Sequence, residues 1–204
     1  MVDELFAPER RRRLVLKRGK ERVIANRHPW IFAGAIQTER GPEDAAIADL
    51  VDAGGARIAS GFYSKQSQIR LRALTFSDEE LTPETIAARI TGAIARRAHI
   101  FDETTNAARL LHAEGDELSS LVIDRYDDVL VVEIANRGVE RLKPLIVETL
   151  QGALSPRVIY FKNDLPGRKL EGLPLDDDLV ILSEAKDLPP NDGEGASPSS
   201  RLRK

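Results

Sequence analysis

Apolar residues first alternate with polar ones at Arg13-Leu14-Val15-Leu16-Lys17, a short strand closed by a turn at Gly19. Pro29 biases His28 toward extended backbone, so Asn26–Ile36 reads as a loop entering a strand. Trp30 and Phe32 fall two apart on one face, where they are expected to anchor the core while Arg27 and His28 stay solvated, with stacking of Trp30 on a base as the lesser alternative. Ile47–Asp52 and Arg57–Tyr63 flank Gly54-Gly55 as a hairpin. Between Ser67 and Leu74 the period is two. Ile69, Leu71 and Ala73 are expected to face inward, and Gln68, Arg70 and Arg72 outward. Short, closely spaced strands punctuated by glycine predict a small β-barrel over residues 13–78.

The period then changes. Thr82 suits an N-cap, Pro83 the first helical position, and Ile86, Ile90, Ile94, Ala98 and Phe101 recur at helical spacing. This predicts a helix linking two domains, within residues 79–107. From residue 108 to 182 the text is strand-like again. Leu118–Asp124 and Asp128–Ile134 form a hairpin, Val139–Leu150 a helix that starts late or bends at Pro144, and Arg157–Phe161 a further strand. The order is a small ββαβ module, with Leu179–Leu182 as a candidate last strand. The fold class is therefore α+β. Residues 1–12 read as a mobile basic arm. Residues 183–204 are rich in Pro, Gly and Ser, which predicts a disordered tail, and Ser183–Leu188 resembles translated intergenic repeat sequence.

Composition narrows the chemistry. The 204 residues are 42% hydrophobic and 31% charged, a globular balance, and no apolar run reaches the length of a membrane span. Neither a signal peptide nor a membrane partner is expected, and the cytoplasm is the default location. There is no cysteine, which removes disulfides, thiolate nucleophiles and Cys-based zinc sites together. His28, His99 and His112 lack metal-binding spacing, so no metal is expected. Asp127-Asp128 reads as turn chemistry, not as a catalytic carboxylate pair. Net charge is −3, yet residues 1–78 carry 14 Lys or Arg against 10 Asp or Glu, and the remainder 16 against 23. Lys17, Arg18, Lys20, Arg22 and Arg27 concentrate this excess beside the Trp-bearing strand, as in a nucleic-acid surface. Lys162–Asp164 with Arg168-Lys169 is a second place where RNA phosphate could be met, a charged loop being the equal alternative.

Four stretches, Arg27–Ala35, Ala59–Arg72, Glu114–Leu118 running into Leu121–Tyr126, and Arg168–Leu173, stand in the order and spacing of a known family. The chain resembles the N-terminal part of PUA-domain class I SAM-dependent rRNA (cytosine-C5) methyltransferases. That resemblance implies a PUA-like RNA-binding barrel, a positioning module, and S-adenosyl-L-methionine (SAM) as cofactor of the intact enzyme. It implies structured RNA, of the large-subunit (23S) kind, as partner. The family's catalytic Rossmann-like domain is expected to be missing, because no Gly-rich SAM loop, no Asp-Pro-Pro loop and no nucleophilic Cys is seen in the sequence. A truncated chain, inactive alone and holding no cofactor of its own, is therefore expected. Arg27, His28, Lys65, Gln68, Arg70 and Arg72 are the candidate RNA-binding residues, with a solvated barrel face as the bland alternative. A stand-alone PUA-type RNA-binding or ribosome-associated module is the second reading.

Overall fold

The structure is a computed structural model and describes residues 2–77 and 79–182. The tail expected at 183–204 lies outside the described residues.

A six-stranded sheet forms from β1 (Arg12–Leu16), β2 (Trp30–Phe32), β3 (Ile36–Arg40), β4 (Ile47–Val51), β5 (Arg57–Tyr63) and β6 (Ile69–Phe76), with the one-turn helix α1 (Arg22–Ala25) between β1 and β2. Its order is β2-β6-β5-β4-β1-β3, antiparallel except where β1 runs parallel to β4. The two edge strands, β2 and β3, are joined by a single 3-10 turn, Ala33–Ala35. So short a link draws the edges together and curls the sheet into a half-barrel. Leu14, Leu16, Ile31, Leu50, Tyr63 and Leu71 fill its interior. A bulge at Ser60/Gly61 brings β5 against β6 so closely that a Cβ at Gly61 would lie 1.9 Å from the Arg72 carbonyl oxygen. Only glycine fits there.

Residues 2–12 are not a detached arm. Two 3-10 turns, Asp3–Phe6 and Pro8–Arg10, fold the segment back, and Phe6 is buried in the core. Arg11 fixes it there, its guanidinium donating to the carbonyls of Phe6 at 2.7 Å and Leu81 at 2.9 Å and to Asp49 at 3.2 Å. Charge alone had marked this run as mobile. Satisfied guanidinium donors dock it.

The helix α2 (Pro83–Arg97) starts where expected, with Thr82 Oγ1 accepting from the Thr85 N–H. It is a wall of the core and not a free linker. Ile86, Ile90 and Ala93 are buried against the second sheet, and Arg89 donates to the carbonyls of Leu74 and Glu117. That sheet comprises β7 (Ala107–His112), β8 (Leu121–Tyr126), β9 (Val129–Ile134), β10 (Val158–Phe161) and β11 (Asp178–Ile181), ordered β11-β10-β9-β8-β7. Helices α3 (Arg137–Glu140) and α4 (Lys143–Leu154) cross over between the parallel strands β9 and β10, and α5 (Pro166–Leu170) precedes β11. The expected ββαβ set thus sits inside a larger sheet, flanked by β7 and β11. Pro144 lies in the first turn of α4, where its missing N–H costs nothing.

One apolar core runs through both sheets. Ala46, Ile47, Phe62 and Leu74 of the half-barrel join Ile86, Leu111, Ile123, Val132, Ile146 and Phe161. At Gly138 a Cβ would stand 2.5 Å from the Ala46 carbonyl oxygen and 3.2 Å from Phe62 Cβ, so α3 is pressed onto the barrel.

Gly61→Ala is expected to cost about 3 kcal/mol or more in urea unfolding, because backbone must move. Gly152→Ala, in open space on α4, is expected to stabilise by about 0.5–1 kcal/mol. Asp116, which holds Arg96 at 2.8 Å and Arg97 at 2.8 Å, gives a pH test. Burial pushes its carboxyl up, but bonds from Arg97, Arg96 and the His112 N–H outweigh it and lower the pKa from 3.8 to about 2. The ionised form is thus favoured in the fold, adding stability that is complete above about pH 4 and lost as pH falls toward 2. Asp116→Asn should lose about 2 kcal/mol at pH 7, and the gap from wild type should close across that window.

Candidate nucleic-acid interface

The structure divides the six candidate residues into two groups. Arg70 and Arg72 do point away from the barrel interior, but what lies outside them is protein. The Arg70 guanidinium sits 2.9 Å from Glu39 Oε1 and donates to the carbonyls of Ser64 and Lys65. Glu39 also accepts from Tyr63 Oη at 2.8 Å and Arg12 at 3.2 Å, so Arg70 belongs to a hub that closes one side of the barrel. Burial, then the bond to Glu39, pushes the Tyr63 phenol up. Arg72 is 8% exposed and lies 3.2 Å from Glu171 Oε1. Burial pulls its guanidinium below the ordinary arginine value, against the opposing effect of Glu171. Neither guanidinium is free to meet RNA.

Arg168 is also removed from the surface. It is wholly buried and donates to the Ile134 carbonyl at 2.7 Å, the Pro174 carbonyl at 2.8 Å and Glu140 at 2.8 Å. Its neighbour Glu171 accepts from Asn136 Nδ2 at 3.3 Å, and Asn136 in turn caps α3 through the N–H groups of Gly138 and Val139. The strand-to-helix turn after β9 is therefore already supplied with a carboxylate.

The other four are exposed. Arg27, with φ of 48°, lies over the Phe76 ring and reaches Glu79 at 3.2 Å. His28 Nδ1 accepts from the Trp30 N–H at 3.0 Å, and the two rings meet edge-on. Gln68 stands in the turn before β6, its carbonyl accepting from the Ala33 N–H at 2.8 Å. Arg27, His28 and Gln68 thus surround β2. Lys65 lies apart, paired with Glu43 at 2.5 Å beside a cavity of about 300 Å³ lined by Tyr63, Arg137 and Glu171.

Between the residues around β2 stand two that charge and size assigned elsewhere. Trp30 is 38% and Phe32 49% exposed, while Ile31 between them is fully buried. The strand puts its isoleucine in the core and both aromatics outside, the reverse of the expectation. Trp30 Nε1 donates to Glu114 Oε1 at 2.8 Å, and Ser119 Oγ donates to the same oxygen at 2.6 Å. Burial raises the Glu114 pKa, but the Ser119 and Trp30 bonds more than compensate and hold the carboxyl below its usual range. Alongside lies the basic turn. Lys17 Nζ donates to the Gly34 carbonyl at 2.8 Å, and Arg18, Lys20 and Arg22 are exposed with no carboxylate partner among the described residues. Lys17 and Arg18 also border an open depression of about 640 Å³ with Gln37 and Thr38. The charge run was visible in the sequence, and the exposed face of the aromatics was not.

Residues 14–76 match the family of the PUA-like domain. The match falls on the half-barrel. The chain is 35% identical over 186 residues to the ribosomal RNA large subunit methyltransferase I of Serratia proteamaculans, covering 87% of this chain and 45% of that protein. It is 38% identical over 165 residues to the enzyme of the same name from Shewanella denitrificans, covering 79% and 42%. The chain spans less than half the length of the curated relatives it matches. A putative SAM-dependent methyltransferase from Streptococcus mutans shares the fold with a TM-score of 0.66 at 16% identity, over 85% of this chain and 44% of that one. A putative methyltransferase solved with SAH gives 0.63, also at 16% identity, over 74% and 40%. Coverage of 85% exceeds the PUA-like barrel, so the second sheet is part of the shared architecture. Among the described residues no group of His, Cys, Asp or Glu could hold a metal, and no helix is long and apolar enough to cross a membrane.

Arg72→Ala would leave the Glu171 carboxylate buried with its cation gone, and is expected to cost about 3–5 kcal/mol in urea unfolding. Arg27→Ala, at the surface, should leave stability near wild type. A near-neutral Arg72→Ala would show that the pair is not structural.

Proposed function

We propose that this chain is the RNA-binding N-terminal portion of a SAM-dependent 23S rRNA cytosine-C5 methyltransferase, inactive by itself. The observation that carries this reading is a PUA-like barrel whose β2 exposes two aromatic rings beside a basic turn whose Arg18, Lys20 and Arg22 have no carboxylate partner among the described residues, in a chain similar to rRNA methyltransferases. Single-stranded and looped RNA is held by stacking on aromatic side chains and by cations at the phosphates. Trp30 and Phe32 supply the first, and Arg18, Lys20 and Arg22 the second. Arg27, His28 and Gln68 add donors at the rim for 2′-hydroxyls and base edges, and Lys65 reaches RNA that extends toward the second sheet. Large-subunit rRNA is the partner in this reading, and the cytoplasm its setting.

In this reading the described residues do not hold SAM. The turn at Asn136 is filled by Glu171, and the cavity of about 300 Å³ is lined by Glu43, Asp44 and Glu171 with Lys65 and Arg137. Cytosine C5 is activated by addition of a nucleophile to the ring, for which the family uses cysteine, and this chain has none. The role assigned to these residues is therefore to bind RNA and hold it in place, with SAM and the catalytic nucleophile on a part of the enzyme outside them.

The test is binding of the 204-residue chain to 23S rRNA fragments across a salt series. Lys20→Ala with Arg22→Ala should flatten the plot of log affinity against log salt by about 0.7 for each phosphate left without its cation, with unfolding unchanged. Salt-independent or absent binding overturns the proposal. So does methyl incorporation from SAM by the chain alone, in respect of its inactivity.

A further inference from the structure

Among the described residues, β2 is the strand that exposes two aromatic rings, and it does so on a sheet edge that pairs with β6 alone. Ile31 is wholly buried between them and both rings are exposed, with the β2–β6 register shifting between Ile31 and Phe32. We infer that this face is a stacking platform for unpaired nucleotides, with Phe32 as the principal base contact, Trp30 beside it and the basic turn holding the flanking phosphates. The inference rests on the RNA-binding reading above and names the class of RNA that site takes.

Three features support it. First, the Trp30 ring is fixed before any ligand arrives: its N–H is held by Glu114 and it packs edge-to-face with the His28 ring. A platform already ordered loses little side-chain entropy on binding. Second, the cations sit where a strand lying across β2 would bring its backbone. Lys17 is tethered to the carbonyl of Gly34, two residues beyond Phe32, and Arg18, Lys20 and Arg22 follow in the same turn. Third, duplex RNA has no use for exposed rings. Its base faces are sealed in the stack, and it offers phosphates and 2′-hydroxyls instead, which cations alone can read. The acidic groups nearby are engaged: Glu114 by Ser119 and Trp30, Glu79 by Arg27, and Glu21 by the Gly19 N–H.

The experiment compares oligoadenylate with a blunt oligoadenylate–oligouridylate duplex of the same length, using the whole chain. Trp30 is the single tryptophan, so its fluorescence reports the platform directly. Oligoadenylate should quench it. Phe32→Ala should weaken oligoadenylate binding about 5- to 100-fold, the range of one base stack. Duplex binding should not change, and Phe32→Tyr should restore the single-strand affinity. Urea unfolding of each variant checks that the barrel is intact. Equal loss on both probes, or none on either, overturns the platform and leaves RNA binding standing. Absence of binding to both probes overturns the platform and the RNA reading together, and leaves Trp30 and Phe32 as a protein contact.

Discussion

Glu171 is the point on which the arrangement of the two sheets turns. Its carboxylate is 2% exposed and meets Arg72 of β6, the Asn136 amide and, at 3.5 Å, the Arg137 N–H at the start of α3. Beside it Arg168, fully buried, spans Glu140 and the Ile134 carbonyl. Burying such charges costs several kcal/mol per ion, recovered only when every partner is in place. An apolar contact would tolerate sliding of one sheet on the other. A buried carboxylate held by an ion pair to Arg72 and by two N–H groups does not. The network therefore specifies one docking of barrel on second sheet, and the shared core around Phe62, Leu74 and Ile86 supplies the bulk of the stabilisation.

This network also explains where the sequence misleads. The period of two across Ser67–Leu74 correctly separates Leu71 from Arg70 and Arg72. A period distinguishes two faces of a strand, however, and says nothing of what covers either. The segment 168–173 lies almost a hundred residues further on, and no local pattern announces that it folds over β6. Arg12 and Arg11 fail for the same reason, since their partners Glu39, Tyr63 and Asp49 are remote in the chain. At β2 the failure is one of phase. Three residues are too few to fix which side faces in, and a shift of one place exchanges Ile31 for the aromatic pair. The size of Trp and Phe made the core the natural assignment. Where signals are long or local, they hold: the Thr82 cap, the helix from Pro83, the hairpin at Gly54-Gly55 and the β8–β9 hairpin all stand.

The four stretches that carry the family resemblance acquire distinct physical roles. Gly61, in the second, permits the close approach of β5 to β6. Glu114 and Asp116, in the third, tie the second sheet to Trp30 and to the end of α2. Arg168 and Glu171, in the fourth, form the buried network. These three build joints, so the likeness they carry reports architecture. The first stretch sets two aromatic rings in solvent on one short strand, and the functional reading rests on it.

Rigidity and recognition then meet at one residue. Trp30 belongs to the first stretch but is held by Glu114 of the third, so the second sheet fixes the orientation of an aromatic ring on the barrel surface. The carboxylate that does this is itself kept ionised by its hydrogen bonds against the effect of burial. An exposed ring without such a tether would sample rotamers and turn inward to bury itself. Holding it outward costs apolar exposure, and the fold sustains that cost because the surrounding joints leave the ring no alternative site. A surface kept open in this way is suited to a planar ligand that arrives with its own face exposed. An unpaired base is such a ligand.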